Sequence, residues 1–163
     1  MNHPPAAAPR SAEDQARFER GVIETFERRI PFNAVLGVKV LSLKPGDVRL
    51  RFDMKPELVG AYNVGRLHGG AICTALDAFS GMALLLGIAE RHPGDTPLQL
   101  MQRTARMGTI DLRVDFLRQG LGEYFVASGE VLRLGGRVGS VHSRLHNDQG
   151  ELIATATASF IVS

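Results

Sequence analysis

The stretch GGAICTALDAFSGMALLLGIA, residues 69–89, decides how this chain folds. It is rich in Ala, Leu and Met, apolar on nearly every side, and long enough for about six helical turns. A helix with no polar face is buried, either in lipid or in the core of a domain. Thr74, Asp77, Ser80, Gly81 and Gly87 interrupt the run, and a carboxylate at mid-span is expensive in hydrocarbon. The stretch therefore predicts a core helix and no membrane span.

Working outward, Glu90 to Arg106 contains Pro93, Gly94 and Pro97 and then Leu98, Met101 and Ala105, enough for a turn or two of helix. Four strands follow. Ile110, Leu112, Val114 and Phe116 alternate with Thr109, Asp111, Arg113 and Asp115, the period-two pattern of a half-buried strand. Gln119 to Gly122 turns into Glu123–Leu134, Gly135-Gly136 is a hairpin signal before Arg137–His146, and Asn147 to Gly150 turns into Glu151–Val162. In the last strand Leu152, Ala154, Ala156, Ala158, Phe160 and Val162 share a face.

Upstream of the helix lies a loop, Pro56 to Arg66, preceded by the alternating strand Val48–Lys55, a Lys44-Pro45-Gly46-Asp47 turn and a strand over Val35–Leu43. Ser11 to Arg29 reads as an amphipathic helix, with Ser11 as N-cap, Phe18, Val22 and Phe26 on one stripe, and Pro31 as its stop. Met1 to Arg10 is Pro- and Ala-rich, lacks the features of a secretory signal, and is expected to be a disordered tail. Residues 11–163 form one α+β domain: an antiparallel sheet of about six strands wrapped around a long central helix, with an extra helix at the N-terminus.

Of 163 residues, 44% are hydrophobic and 22% charged, the balance of one globular domain. Lys+Arg 19 against Asp+Glu 17 leaves a net charge of +2, too small an excess to indicate nucleic acid. The single cysteine, Cys73, excludes an internal disulfide and a multi-cysteine metal site, and fits a reducing, cytoplasmic setting. His142 and His146 are about 13 Å apart along a strand and cannot share one ion. No cofactor or metal is expected.

Two features carry chemistry. Asp77 is a carboxylate inside an apolar helix, where it loses hydration and can act as a general base or nucleophile. Before the helix stands Asn63-Val64-Gly65-Arg66-Leu67-His68-Gly69-Gly70. The first-turn amides of a helix have no intrahelical acceptor and converge on an approaching anion or oxyanion.

The pattern Asn63-x-Gly-x-Leu-His68-Gly69-Gly70-(x)6-Asp77 resembles the hotdog-fold acyl-CoA thioesterases of the phenylacetic-acid-degradation (PaaI-like) type. Thr109 to Arg118 looks like the strand that follows their central helix, and the resemblance covers roughly residues 33 to 162. It implies hydrolysis of acyl-CoA to free acid and CoA. In that reading the Gly69 amide, helped by Asn63, polarises the thioester carbonyl, Asp77 drives attack by water or attacks directly, and Thr109 orients the water. From position alone, His68 is expected to brace the loop at the substrate, and Gly70, Arg133 and Arg137 are further candidate substrate contacts, the arginines toward CoA phosphates; Arg103 and Arg106 are a second such pair. Two departures stand out: one residue separates Asn63 from Gly65 where relatives have two, and the loop 90–106 is long. The other readings are a non-catalytic acyl-CoA-binding domain and an acyl-thioester dehydratase or hydratase.

On one helix Gly69 and Asp77 are about 12 Å apart, too far to meet at a single carbonyl. One site therefore needs two chains. A homodimer is expected, with a dimer of dimers as its extension.

Overall fold

The computed structural model describes residues 8–163. Ser11 caps the first helix, α1 (Ala12–Glu24), its hydroxyl accepting from the Asp14 amide at 3.1 Å. A π-helical turn over Thr25–Arg29 extends α1, with Ile30 N–H donating to the Thr25 carbonyl at 3.1 Å. The helical run ends ahead of Pro31 as expected, with Ile30 extended at φ -85 and ψ 106, and Pro31 then opens a short second helix, α2 (Pro31–Leu36). Proline at a first helical position has no amide to lose there. Gly37, at φ 81, closes α2 in the left-handed region, so the following strand starts later than Val35.

The strands are β1 (Lys39–Lys44), β2 (Asp47–Asp53), β3 (Val59–Ala61), β4 (Arg66–Leu67), β5 (Gly108–Phe116), β6 (Tyr124–Leu134), β7 (Val138–Asn147) and β8 (Leu152–Ile161). Two more helices, α3 (Gly69–Arg91) and α4 (Pro97–Thr104), separate β4 from β5. Six strands form one antiparallel sheet in the order β1-β2-β6-β7-β8-β5. The loop before α3 is itself partly ordered as the small β3–β4 hairpin.

The sheet curls around α3, the hotdog arrangement. Leu76, Phe79, Met82 and Leu84 of α3 have no exposed surface, and face Phe125, Val141, Leu145, Ala154 and Ala158 of the sheet. Ser80 is equally buried, and its hydroxyl donates to the Leu76 carbonyl at 2.7 Å, which removes the cost of an unpaired polar group. α3 is long and apolar enough to cross a membrane, but most of that stretch is buried inside the protein.

Helix and sheet pack closely at Gly129. A Cβ there would collide with the His142 carbonyl and lie 2.9 Å from the Phe79 ring. Gly129→Ala is expected to cost about 2–3 kcal/mol and to lower Tm by about 5–10 °C, measured by thermal denaturation.

Three expectations need correction. Residues 1–7 of the anticipated tail lie outside the described residues. Arg10, its last residue, is anchored: its guanidinium donates to the carbonyls of Ala89 at 2.5 Å and His92 at 3.0 Å, a cation on the acceptor end of α3. In β8 it is Ile153, and not Leu152, that is fully buried, because the register against β7 slips beside it. In β5 a bulge at Ile110 separates the pairs Thr109↔Phe160 and Asp111↔Ser159. The extra residue reverses the alternation. Ile110 is left 59% exposed, while Thr109 turns toward the helix.

Candidate active site

The turn Tyr62–Gly65, with Gly65 at φ 65, joins β3 to β4. The segment leading to α3 is fixed by backbone bonds: Leu67 N–H donates to the Gly120 carbonyl at 2.9 Å and His68 N–H to the Leu58 carbonyl at 2.8 Å. Gly60 makes room for it, since a Cβ there would lie 2.7 Å from the His68 Cα.

His68 is the N-cap of α3, its Nδ1 accepting from the Gly70 amide at 2.8 Å. That amide is thus satisfied within the chain, which corrects the expectation that Gly70 offers it to a ligand. The Gly69 amide has no acceptor among the described residues. It stands at the positive end of a 23-residue helix. Asn63 is exposed in the turn ahead of it.

Two turns into α3 the Asp77 carboxylate accepts a hydrogen bond from the Thr109 hydroxyl at 2.8 Å. The Ile110 bulge makes this contact possible. Asp77 is half-buried in a single copy, less desolvated than the sequence suggested. Cys73 stands one turn before Asp77 on the same helix, and burial pushes its thiol above the ordinary value.

Asp77 and Thr109 stand on the wall of a cavity of about 750 Å³. Its far walls are apolar: Phe18, Val22 and Phe26 from α1 and the π turn, and Leu100 and Met101 from α4. The stripe Phe18, Val22 and Phe26 was legible as an apolar face, but nothing in its spacing said that the face would roof a cavity. One wall residue was missed altogether. Asn33 is only 4% exposed, and its Nδ2 has no partner among the described residues.

Arg133 and Arg137 do not reach this region within one copy. Arg133 and Arg137 are exposed beside the β6–β7 turn, which Arg91 ties to the far end of α3 by donating to the Gly135 carbonyl at 3.0 Å. That end is about 30 Å from Gly69. Arg103 is engaged with Asp95, whose carboxyl it holds below the ordinary value through their hydrogen bond.

The family model described as Thioesterase superfamily matches residues 64–154, the span that holds α3 and most of the sheet. The chain belongs to the thioesterase superfamily. It is 40% identical over 139 residues to the medium/long-chain acyl-CoA thioesterase YigI of Escherichia coli K12, across 85% of this chain and 90% of that one. Human acyl-coenzyme A thioesterase 13 is 30% identical over 138 residues, across 83% and 87%. A crystal structure from Shewanella oneidensis, described as related to the thioesterase superfamily, superposes with a TM-score of 0.86 at 37% identity, covering 94% of this chain and all of that one.

Proposed function

We propose that the protein hydrolyses acyl-CoA thioesters, and that each site is shared between two copies of the chain. The observation that carries this reading is the Thr109–Asp77 pair at 2.8 Å on the wall of an apolar cavity. A carboxylate gives a base or nucleophile, the hydroxyl on it fixes its orientation, and the cavity takes an acyl chain. The names of the YigI and thioesterase 13 relatives agree with that substrate class.

The missing element is an oxyanion donor, and the free Gly69 amide is about 12 Å away along the same helix. β5 suggests how a second copy supplies it. This strand is at the edge of the sheet, with Thr109 beside Asp77 and Phe116 against Gly69, where a Gly69 Cβ would lie 3.5 Å from the Phe116 ring. Antiparallel pairing of two such edges about a twofold axis sets the Thr109 end of one beside the Phe116 end of the other. Asp77 of each copy then approaches Gly69 of its partner. The exposed apolar side chains around that edge, Tyr62, Val64, Ile110 and Phe116, gain a covered environment in the same step.

In this scheme the Gly69 N–H, at the helix's positive end, stabilises the charge that develops on the thioester oxygen. Asp77 takes the proton of the attacking water and returns it to the departing CoA thiolate, or attacks the carbonyl itself, expelling the thiolate, which water protonates, and forming an anhydride that a second water hydrolyses to free acid and the regenerated carboxylate. Thr109 contributes one hydrogen bond, so Thr109→Ala should lower kcat by about fivefold, the equivalent of about 1 kcal/mol. Loss of turnover as complete as that on removing the Asp77 carboxylate would give Thr109 a larger role.

Thiol release from a panel of aliphatic and aryl acyl-CoAs tests the reaction itself. A non-catalytic acyl-CoA binder would bind the panel and release no thiol.

A further inference from the structure

Glycine inside a helix is disfavoured relative to alanine, because it surrenders more backbone freedom on folding. α3 nevertheless carries Gly81 in its interior. Close packing does not demand it. A Cβ built on Gly81 would meet only the Phe160 ring, at 3.4 and 3.8 Å, and no backbone atom; Gly129, by contrast, has no room for one. What Gly81 leaves is space. Both Gly81 and Phe160 line the cavity that Asp77 and Thr109 border.

Asp77, Gly81 and Leu85 all line that cavity, and residues four apart follow one another along one face of a helix. Gly81 is about 6 Å and Leu85 about 12 Å beyond Asp77 along the axis. An extended alkyl chain built from bonds of about 1.5 Å advances about 1.25 Å per carbon. Counted from a thioester carbonyl at Asp77, Gly81 then lies beside about the fifth carbon and Leu85 beside about the tenth.

We propose that Gly81 sets the length of acyl chain the protein accepts, its missing side chain opening the way from Asp77 to the space beside Leu85. The substrates are straight-chain acyl-CoAs of about ten carbons, a length that a side chain at position 81 would obstruct. The proposal rests on the thioesterase reading and adds to it the residue that determines specificity.

The test compares the wild type with Gly81→Ala, Gly81→Val and Leu85→Ala. Thiol release from butyryl-, octanoyl- and dodecanoyl-CoA gives kcat/KM, and calorimetry with the matching free fatty acids gives a length profile that needs no hydrolysis. For Gly81→Val the ratio of dodecanoyl to butyryl kcat/KM should fall about tenfold or more, since each methylene lost from a pocket changes discrimination by at least that order. Gly81→Ala should fall between Gly81→Val and wild type, and Leu85→Ala should raise the ratio. Unchanged ratios in folded Gly81→Val and Leu85→Ala would overturn the proposal; should Gly81→Val fail to fold, an unchanged Leu85→Ala ratio does so alone. A wild type that releases no thiol from any substrate would instead remove the thioesterase reading. Fatty-acid affinities would then still decide the length assignment, and a profile that neither variant shifts would overturn it.

Discussion

Asp77→Asn should fold and assemble like the wild type and hydrolyse acyl-CoA about 10²–10⁴-fold more slowly, the range expected when a positioned base is removed. The amide keeps the shape of the carboxylate and can still accept the hydrogen bond that Thr109 donates at 2.8 Å. It cannot take a proton from water, nor form an acyl-enzyme. Because Asp77 is half-buried and its partner is the neutral Thr109 hydroxyl, the substitution leaves no stranded charge and should change Tm little. Circular dichroism, size exclusion and thiol-release kinetics on one preparation check all three statements. Near-normal kcat in a folded Asp77→Asn protein would show that this carboxylate does not do the chemistry.

Much of the fold was legible because one helix dominated the reading. Residues 69–89 need cover on most sides, and the alternation in residues 48–55 and 109–116 supplied strands with an apolar face, so a sheet curled around the helix was the way to bury it. The failures have local causes. The first helix breaks at Ile30, ahead of Pro31, but the proline also begins a second helix, and neither that helix nor the π turn before it is announced by any periodicity. The bulge at Ile110 adds one residue to β5. Strict alternation therefore assigned Thr109 to the same face as Asp111 and Ile110 to the opposite one. The candidate site was legible in its residue types, since an isolated carboxylate in an apolar helix and two glycines at a helix start are both uncommon unless used. Its chamber was not, because the face of α1 that roofs it has the spacing of any helix packed on a core. Asn33 gave no signal at all: an asparagine between Phe32 and Ala34 looks like an ordinary polar position until its burial is seen.

Gly69→Pro removes the proposed oxyanion donor with little else. Gly69 is the first residue of α3, and His68 before it has φ -68 and ψ 137, the extended conformation that a residue preceding proline requires. Proline is well accommodated at a first helical position, and the neighbouring Gly70 amide stays capped by His68. The variant should therefore fold, and lose about 10²–10³-fold in kcat, the cost of deleting one oxyanion donor.

The central claim is that Asp77 of one copy works with Gly69 of another, and the most direct test is to refold Asp77→Asn and Gly69→Pro together. Random pairing makes about half of the dimers mixed, and each mixed dimer holds one doubly defective site and one site with both native residues. The mixture should recover about a quarter of wild-type thiol release, while either variant refolded alone recovers almost none. If both groups served a site within one chain, every site in the mixture would remain defective. A mixture shown by mass spectrometry to contain mixed dimers, yet no more active than its parents, would contradict the shared site.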